Sequence, residues 1–398
     1  MSAERTGTWP VDHDAPGTGL PLEGIKVLDL SRVLAGPLAA MILGDLGADV
    51  IKIEPPAGDP VRAMAPPSID GIATYYLSVN RNRRSVVADL RTDEGRVLVR
   101  RLAESADAVV ENFLPSQAVT LGIDTLRSEL SDVVWVTVAA ASGEGPLADQ
   151  PSFDLLAQAR SGLMGVTGYP ESGPVKVGAP IADVVTGLYA AVALLTGLLE
   201  RRVRPERPAR RYEAPLLESA ISTLVNQAAG FLATGGVPSL LGNEHPSIAP
   251  YAPYRTLDKD LVIAVGTERQ WQALCVALNV ESLCNDERFA LNVDRVRNRD
   301  SLRLALEEVL VEAPVDFWIT RLESARVPCA PVNDLPAAML QEQVASGDLL
   351  ADVVLESGST ISMVTSPLRI DGERPKVRRR PPGLGEHTDE VIAHLDGG

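Results

Sequence analysis

The segment that most constrains the fold is residues 177–202, VGAPIADVVTGLYAAVALLTGLLERR. From Val184 to Leu199 it carries no charged side chain, and a helix without a polar face belongs deep in a core. Gly178 and Pro180 interrupt the chain just before it, so the helix begins near Asp183. Peptide N–H groups point outward at such a start and the local field is positive. Asp is a preferred capping residue there. The expectation is a carboxylate that caps the helix and stays ionised when partly removed from water, which is the state a carboxylate nucleophile needs. The apolar stretch is short for a membrane span and runs into ERRVRPERPARR, so no membrane segment is expected.

A chain of 398 residues exceeds one ordinary core, and two domains are expected. It is 45% hydrophobic but only 4% aromatic, so its cores must be built from Val, Leu, Ala and Ile. A net charge of −16 argues against general nucleic-acid binding, and any phosphorylated ligand needs a local basic patch. Cys275, Cys284 and Cys329 form no paired framework, and the four histidines have no ligand spacing. A reducing, cytoplasmic location without a metal follows as the expectation. Residues 1–20 lack a signal-peptide core and are expected to be a flexible tail.

Strand and helix patterns alternate through the first half. Apolar strands are expected at Ile25–Leu30, Ala48–Glu54, Ser85–Leu90, Ala108–Glu111 and Val133–Val138, with helices between them. This order implies an α/β fold, a parallel sheet with helices on both faces, and ligands at the loops after the strands. No Gly-x-Gly-x-x-Gly follows the first strand, which weakens a nicotinamide-nucleotide reading. The expected division is a large Rossmann-like part at 21–200, a linker at 201–225, a smaller α+β domain at 226–325, and a return to the large domain at 326–398.

Nine collinear segments carry a resemblance. They include PLEGIKVLDLSRVLAGP at 21–37, LGDLGADVIKIEPPAGDPVR at 43–62, NRNRRSV at 80–86, VVENF at 109–113 and GAPIADVVTG at 178–187. LGNEHPSIAPY at 241–251, VPCAPVN at 327–333, TSPLR at 365–369 and PPGLGEHT at 381–388 complete the series. Together they resemble the class III coenzyme A transferases, the CaiB/BaiF family. The resemblance implies a homodimer of two interlocked, ring-like chains, each with a Rossmann-like large domain and a small domain. It implies that Asp183 is the nucleophile, passing through an aspartyl anhydride and an aspartyl-CoA thioester. Acyl-CoA and small carboxylic acids are the implied substrates, with no permanently bound cofactor.

For the coenzyme, the resemblance implies Val33 and Leu34, the stretch Arg83–Arg91 (Arg83, Arg84, Ala88, Asp89, Leu90, Arg91), and Asn112, Phe113 and Leu114. Arg83, Arg84 and Arg91 are the cations expected at its phosphates. Gly143, Gly145 and the amides at the helix start after Asp183 are oxyanion candidates. Phe153 and His245 are substrate-contact candidates. Ser116, Thr120 and Pro55 stand where relatives carry a glycine, an arginine and a basic residue. That leaves weaker CoA affinity, a substitute contact from Arg62, or a lost transferase activity as alternatives. Two other functions share the fold. An α-methylacyl-CoA racemase needs an acid/base pair, and Phe153 stands where its histidine would be. A non-catalytic acyl-CoA-binding protein is the second.

Overall fold

Six short strands rich in Val and Ile form the central sheet of the computed structural model, which describes residues 9–10, 19–143 and 145–397. They are β1 (Lys26–Asp29), β2 (Asp49–Glu54), β3 (Arg84–Val87), β4 (Ala108–Glu111), β5 (Val134–Ala139) and β6 (Arg211–Pro215). All neighbours run parallel in the order β6-β5-β4-β1-β2-β3. Apolar side chains line both faces, as a sheet covered on both sides requires. Leu28, Ile51, Val86, Val109 and Trp135 point into one core, and Val27, Val50, Val110, Val134 and Val136 into the other. The order reverses around β1, which places the switch point between the loops after β1 and β4.

The helices that bear on the site are α1 (Ala35–Asp45), α2 (Thr74–Val79), α3 (Asp93–Ser105), α4 (Asp154–Arg160), α5 (Ile181–Val203), α6 (Leu216–Ser222) and α7 (Val225–Thr234). Four of the expected strands are present within one residue at each end, and the one expected at Ser85–Leu90 is shorter, ending at Val87. Thr92 caps α3 by accepting from the Gly95 amide. The apolar stretch from Leu216 to Thr234 is split into two helices, α6 and α7.

Helix α5 is longer than expected. Its 23 residues suffice by length and composition to cross a membrane, yet it packs on α1 and the sheet as a scaffold helix. Only one stripe is buried: Ala182, Thr186, Gly187, Ala190, Ala191, Leu194 and Gly197. The opposite face, with Leu188, Val192 and Leu199, is exposed, so this chain alone does not bury the helix all round. Small residues decide which side is covered, because they let α5 approach α1 closely. A Cβ on Gly187 would sit 2.8 Å from the Ala35 carbonyl oxygen and 3.0 Å from the Leu38 side chain.

The chain divides into two compact units. One contains the described residues up to Leu163, Lys176–Thr234 and the stretch from Glu342 onward. The other contains Met164–Val175 and Gly235–Gln341. The expected linker at 201–225 is not one, because α5 continues to Val203 and Arg211–Pro215 is the edge strand β6. Arginines gave that stretch a solvated composition, but the ladder to β5 holds it in the sheet. The small unit builds an antiparallel three-stranded sheet against helices, with Trp271, Phe289, Leu306, Trp318 and the buried Cys275 in its core. The return to the large unit covers the edge of β3: Ser85 N–H donates to His387 Nδ1 (3.3 Å), and Val87 N–H to Thr388 Oγ1 (3.0 Å).

Most of residues 1–20 lies outside the described residues. Trp9 does not behave as part of a flexible tail, since its ring joins the core and its Nε1–H donates to Asp49 (2.8 Å). Replacing Gly187 by Ala should destabilise the fold by about 1–3 kcal/mol, because neither a backbone carbonyl nor a packed helix can yield easily. Urea denaturation measures this, and an unchanged midpoint would show that α5 and α1 can separate freely.

Candidate active site

The loop after β1 is set by charges buried beneath it. Lys52 projects from β2 into a fully buried position, where its Nζ meets Asp59 Oδ2 (2.9 Å), Asp29 (3.9 Å) and the Ser31 carbonyl (2.7 Å). Asp59 in turn accepts from the amides of Val33 (3.2 Å to each oxygen) and Val61 (3.0 Å). Val33 has φ +70°, a left-handed conformation that a β-branched residue adopts only under constraint. The buried pair supplies that constraint. Across the switch point, Asn112 clamps the same loop, accepting from Arg32 N–H (3.0 Å) and donating to the Arg32 carbonyl (2.9 Å).

Two pockets open at these strand ends. The first, about 290 Å³, is lined by Leu30, Ile53, Leu90, Phe113, Asp89 and Arg91 among others. The second, about 240 Å³, is lined by Val33, Leu34, Ala35, Asn112, Leu114 and Phe153, with Asp183 in its wall. Of the expected coenzyme residues, Val33, Leu34, Ala88, Asp89, Leu90, Arg91, Asn112, Phe113 and Leu114 therefore line one pocket or the other.

Arg83 and Arg84 do not. The Arg83 guanidinium is fully buried, bonded to Asp29 (2.6 Å) and to the carbonyls of Pro37 and Val79. Arg84 is held by Asp49 (2.7 Å), Glu390 (3.1 Å) and the Pro10 carbonyl. Both sit at the start of β3, where the sheet encloses them, and their charges are spent on the fold. Arg62 is likewise no substitute contact: it makes a two-pronged bond to Glu54 (2.7 Å each) and stacks on Tyr76.

Asp183 lies in the first turn of α5, two residues inside it, and does not cap it. Asp154, from the start of α4, does that work. Its Oδ1 accepts from the amides of Ala182 (2.8 Å) and Asp183 (3.4 Å). Its Oδ2 accepts from Gln158 (2.7 Å), whose own Oε1 accepts from Val177 N–H (2.9 Å). One carboxylate and one amide thus pin the whole approach to the nucleophile candidate. The Asp183 carboxylate accepts no hydrogen bond from the described residues. Burial, and after it the Asp154 charge, push the Asp183 carboxyl up from the usual carboxylate range to about 7. The expectation that the helix start keeps it fully ionised is corrected accordingly. Tyr75 on α2 stands in the field of the same pair: burial first, then Asp183 and Asp154, raise its hydroxyl to about 12.

The oxyanion candidates also change. Gly143 N–H is taken by Glu213 (3.2 Å), and neither Gly143 nor Gly145 lines the pocket. The first amides of α5 are engaged as well, by Ala179, Asp154 and Pro180. The amides of Leu34, Ala35 and Gly36, at the start of α1, have no acceptor among the described residues, and Leu34 and Ala35 line the Asp183 pocket. Phe153 lines it too, and its ring carries no exchangeable proton. His245 belongs to the small unit, where its Nδ1 accepts from Ser247 N–H (3.1 Å) and its ring packs on Tyr251. Among the described residues no cluster of ligating side chains could hold a metal.

Sequence reasoning missed Arg32, Asp154, Tyr75 and the Lys52–Asp59 pair. Arg32 was within reach, as a lone cation in the loop after the first strand; the others act through contacts that no local pattern signals.

The pH dependence of this site follows from the burial of Asp183 first and from the Asp154 charge second. A reaction using the Asp183 carboxylate should speed up as pH rises through about 7. Replacing Asp154 by Asn keeps an oxygen for the α5 amides and removes the charge. The midpoint of the kcat/KM profile should then move to lower pH. An unmoved midpoint would mean that the Asp154 charge is not felt at Asp183.

Comparison with known proteins gives this geometry its context. The chain matches the family model "CoA-transferase family III" over residues 22–388. It is 36% identical over 392 residues to the succinate–glutarate CoA-transferase of Agrobacterium fabrum, covering 96% of this chain and 98% of that protein. It is 34% identical over 379 residues to the succinyl-CoA:glutarate CoA-transferase of Homo sapiens, covering 94% and 86% respectively. The crystal structure of a CaiB/BaiF family protein from Brucella suis aligns with a TM-score of 0.83 at 36% identity, covering 95% of this chain and 100% of that one.

Proposed function

Because the chain belongs to CoA-transferase family III, we propose that Asp183 is the nucleophile with which it moves coenzyme A from an acyl-CoA to a free carboxylic acid. The carrying observation is the position of that carboxylate: in a pocket wall at the strand ends, with no hydrogen bond from the described residues and a raised proton affinity. Removed from water and unbonded, its ionised form is a strong nucleophile.

In the first step a carboxylate oxygen of Asp183 attacks the thioester carbonyl. The C–S bond breaks, giving an aspartyl–acyl anhydride and the CoA thiolate. The thiolate then attacks the aspartyl carbonyl, forming an aspartyl-CoA thioester and releasing the first acid as its carboxylate. The incoming carboxylate attacks that thioester, and the expelled thiolate takes the new acyl group, which restores Asp183. Dividing the exchange into such steps lowers each barrier. Each attack places negative charge on an oxygen, and the open amides of Leu34, Ala35 and Gly36 are the donors we assign to it. Asp154 and Gln158 keep the nucleophile in register.

The relatives' names point to short dicarboxylic acids as donor and acceptor, so succinyl-CoA with glutarate is the first pair to test. A racemase reading has no support in the pocket, where Phe153 offers no acid/base group. We also assign the outer face of α5 and the exposed Val225, Phe231 and Leu232 of α7 to a homodimer contact.

Asp183→Asn should abolish exchange between succinyl-CoA and glutarate while the protein still folds, and wild type should show a covalent CoA adduct on Asp183 by mass spectrometry. Turnover near the wild-type rate in the variant would remove the nucleophile assignment. The fold favours the protonated form of Asp183. Its contribution to stability is full below its ordinary value of 3.8 and is lost as pH rises through about 7. The Asn variant should therefore melt higher than wild type at pH 8, with the gain fading toward pH 4. For the dimer, a folded wild-type monomer in sedimentation at nanomolar concentration would contradict the contact.

A further inference from the structure

The arginines around the first pocket differ in one respect. Arg62, Arg83, Arg84 and Arg91 are each paired with a carboxylate of this chain. The guanidinium of Arg32 has no hydrogen bond or ion pair among the described residues. It is half-buried, stands 5.3 Å from the centre of the Phe113 ring, and is launched from a backbone that Asn112 holds on both sides. Arg32 is also the one residue that lines both pockets.

We propose that Arg32 binds the diphosphate of coenzyme A at the joint between the two pockets. This rests on the CoA-transferase reading above and assigns a residue to it. A CoA thioester is a linear ligand with an apolar base at one end, a reactive thioester at the other, and its diphosphate between the nucleoside and the pantetheine arm. The pocket with Leu30, Ile53, Leu90 and Phe113 suits the base, and the pocket with Asp183 must receive the thioester. The group that crosses from one to the other is anionic, and the side chain at the crossing is a cation with no counter-charge of its own. A guanidinium fixed at its base can offer two parallel N–H groups to phosphate oxygens. The cation also lies over the face of the Phe113 ring, 5.3 Å from its centre, which favours keeping it at this position. Asp59 is a charge that acts on Arg32, but it is committed to Lys52 and the Val33 amide.

The test is calorimetric titration of the full-length chain with CoA, with pantetheine, and with ADP, in wild type, Arg32→Gln and Arg32→Lys. Gln should raise the Kd for CoA and for ADP by about 10- to 100-fold and leave pantetheine unchanged. Lys, which keeps the charge without the fork, should fall between. Both variants alter a half-exposed side chain, and circular dichroism verifies that they fold. If Gln binds CoA as wild type does while the KM for glutarate rises, Arg32 instead holds the remote carboxylate of the acid, and the proposal is overturned. If pantetheine weakens in step with CoA, the residue shapes the pocket without contacting phosphate, which overturns it equally. Wild type that binds no CoA would fail differently, by removing the transferase reading itself.

Discussion

The site depends on a charge pair that has no exposed surface. Lys52 and Asp59 are both wholly buried, and Asp59 spends its remaining lone pairs on the Val33 and Val61 amides. Burying two charges has a large desolvation cost, recovered only when geometry and further hydrogen bonds are good. Here the pair fixes a strained residue: Val33 in a left-handed conformation turns the chain sharply between β1 and α1. That turn presents Leu34 and Ala35 to the pocket that Asp183 also lines. Loss of either partner would leave a lone buried charge, at about 3–5 kcal/mol, and would free the turn as well.

Around this pair, the large unit separates structural charge from available charge. Asp29 holds Arg83, Asp45 holds Arg81, Glu54 holds Arg62, and Asp49 with Glu390 holds Arg84. These pairs join β1, β2, β3 and the C-terminal return. They also explain how a chain of net charge −16 can accept a polyanion. Attraction need not come from the protein's overall field. In the reading proposed above it comes at short range, from Arg32 and from the open amides at the start of α1. The acidic partner Asp154 acts in the opposite sense, holding the backbone at Asp183 while raising the proton affinity of that carboxyl.

Much of the architecture was legible in the chain. Alternating apolar strands and helices gave the parallel sheet, and the charge-free stretch ahead of ERR gave α5, because period and polarity are local properties. Asp183 was legible as an acid delivered to the start of that helix. The collinear segments pointed to the pocket-lining positions 33–34, 88–91 and 112–114. What misled was equally local. Arginine-rich 200–211 has a linker's composition, yet it begins as the end of α5 and ends at the first residue of the edge strand β6. A helix without charge was expected to be buried all round, yet its outer face is open in this chain.

What the sequence by itself determined is therefore the order of elements, the charge-free stretch that becomes α5 and the candidate nucleophile. Only the tertiary structure decided which charges are free to work. Arg83 meets Asp29 from 54 residues away, Arg84 meets Glu390 from 306, and Asp154 reaches the Ala182 amide from 28. Nothing in local spacing distinguishes a paired arginine from an unpaired one, since both are polar residues in or beside a strand. The partner is fixed by which strand ends and loops the sheet brings together. Within a low-dielectric interior that partner decides whether a charge serves the fold or a ligand.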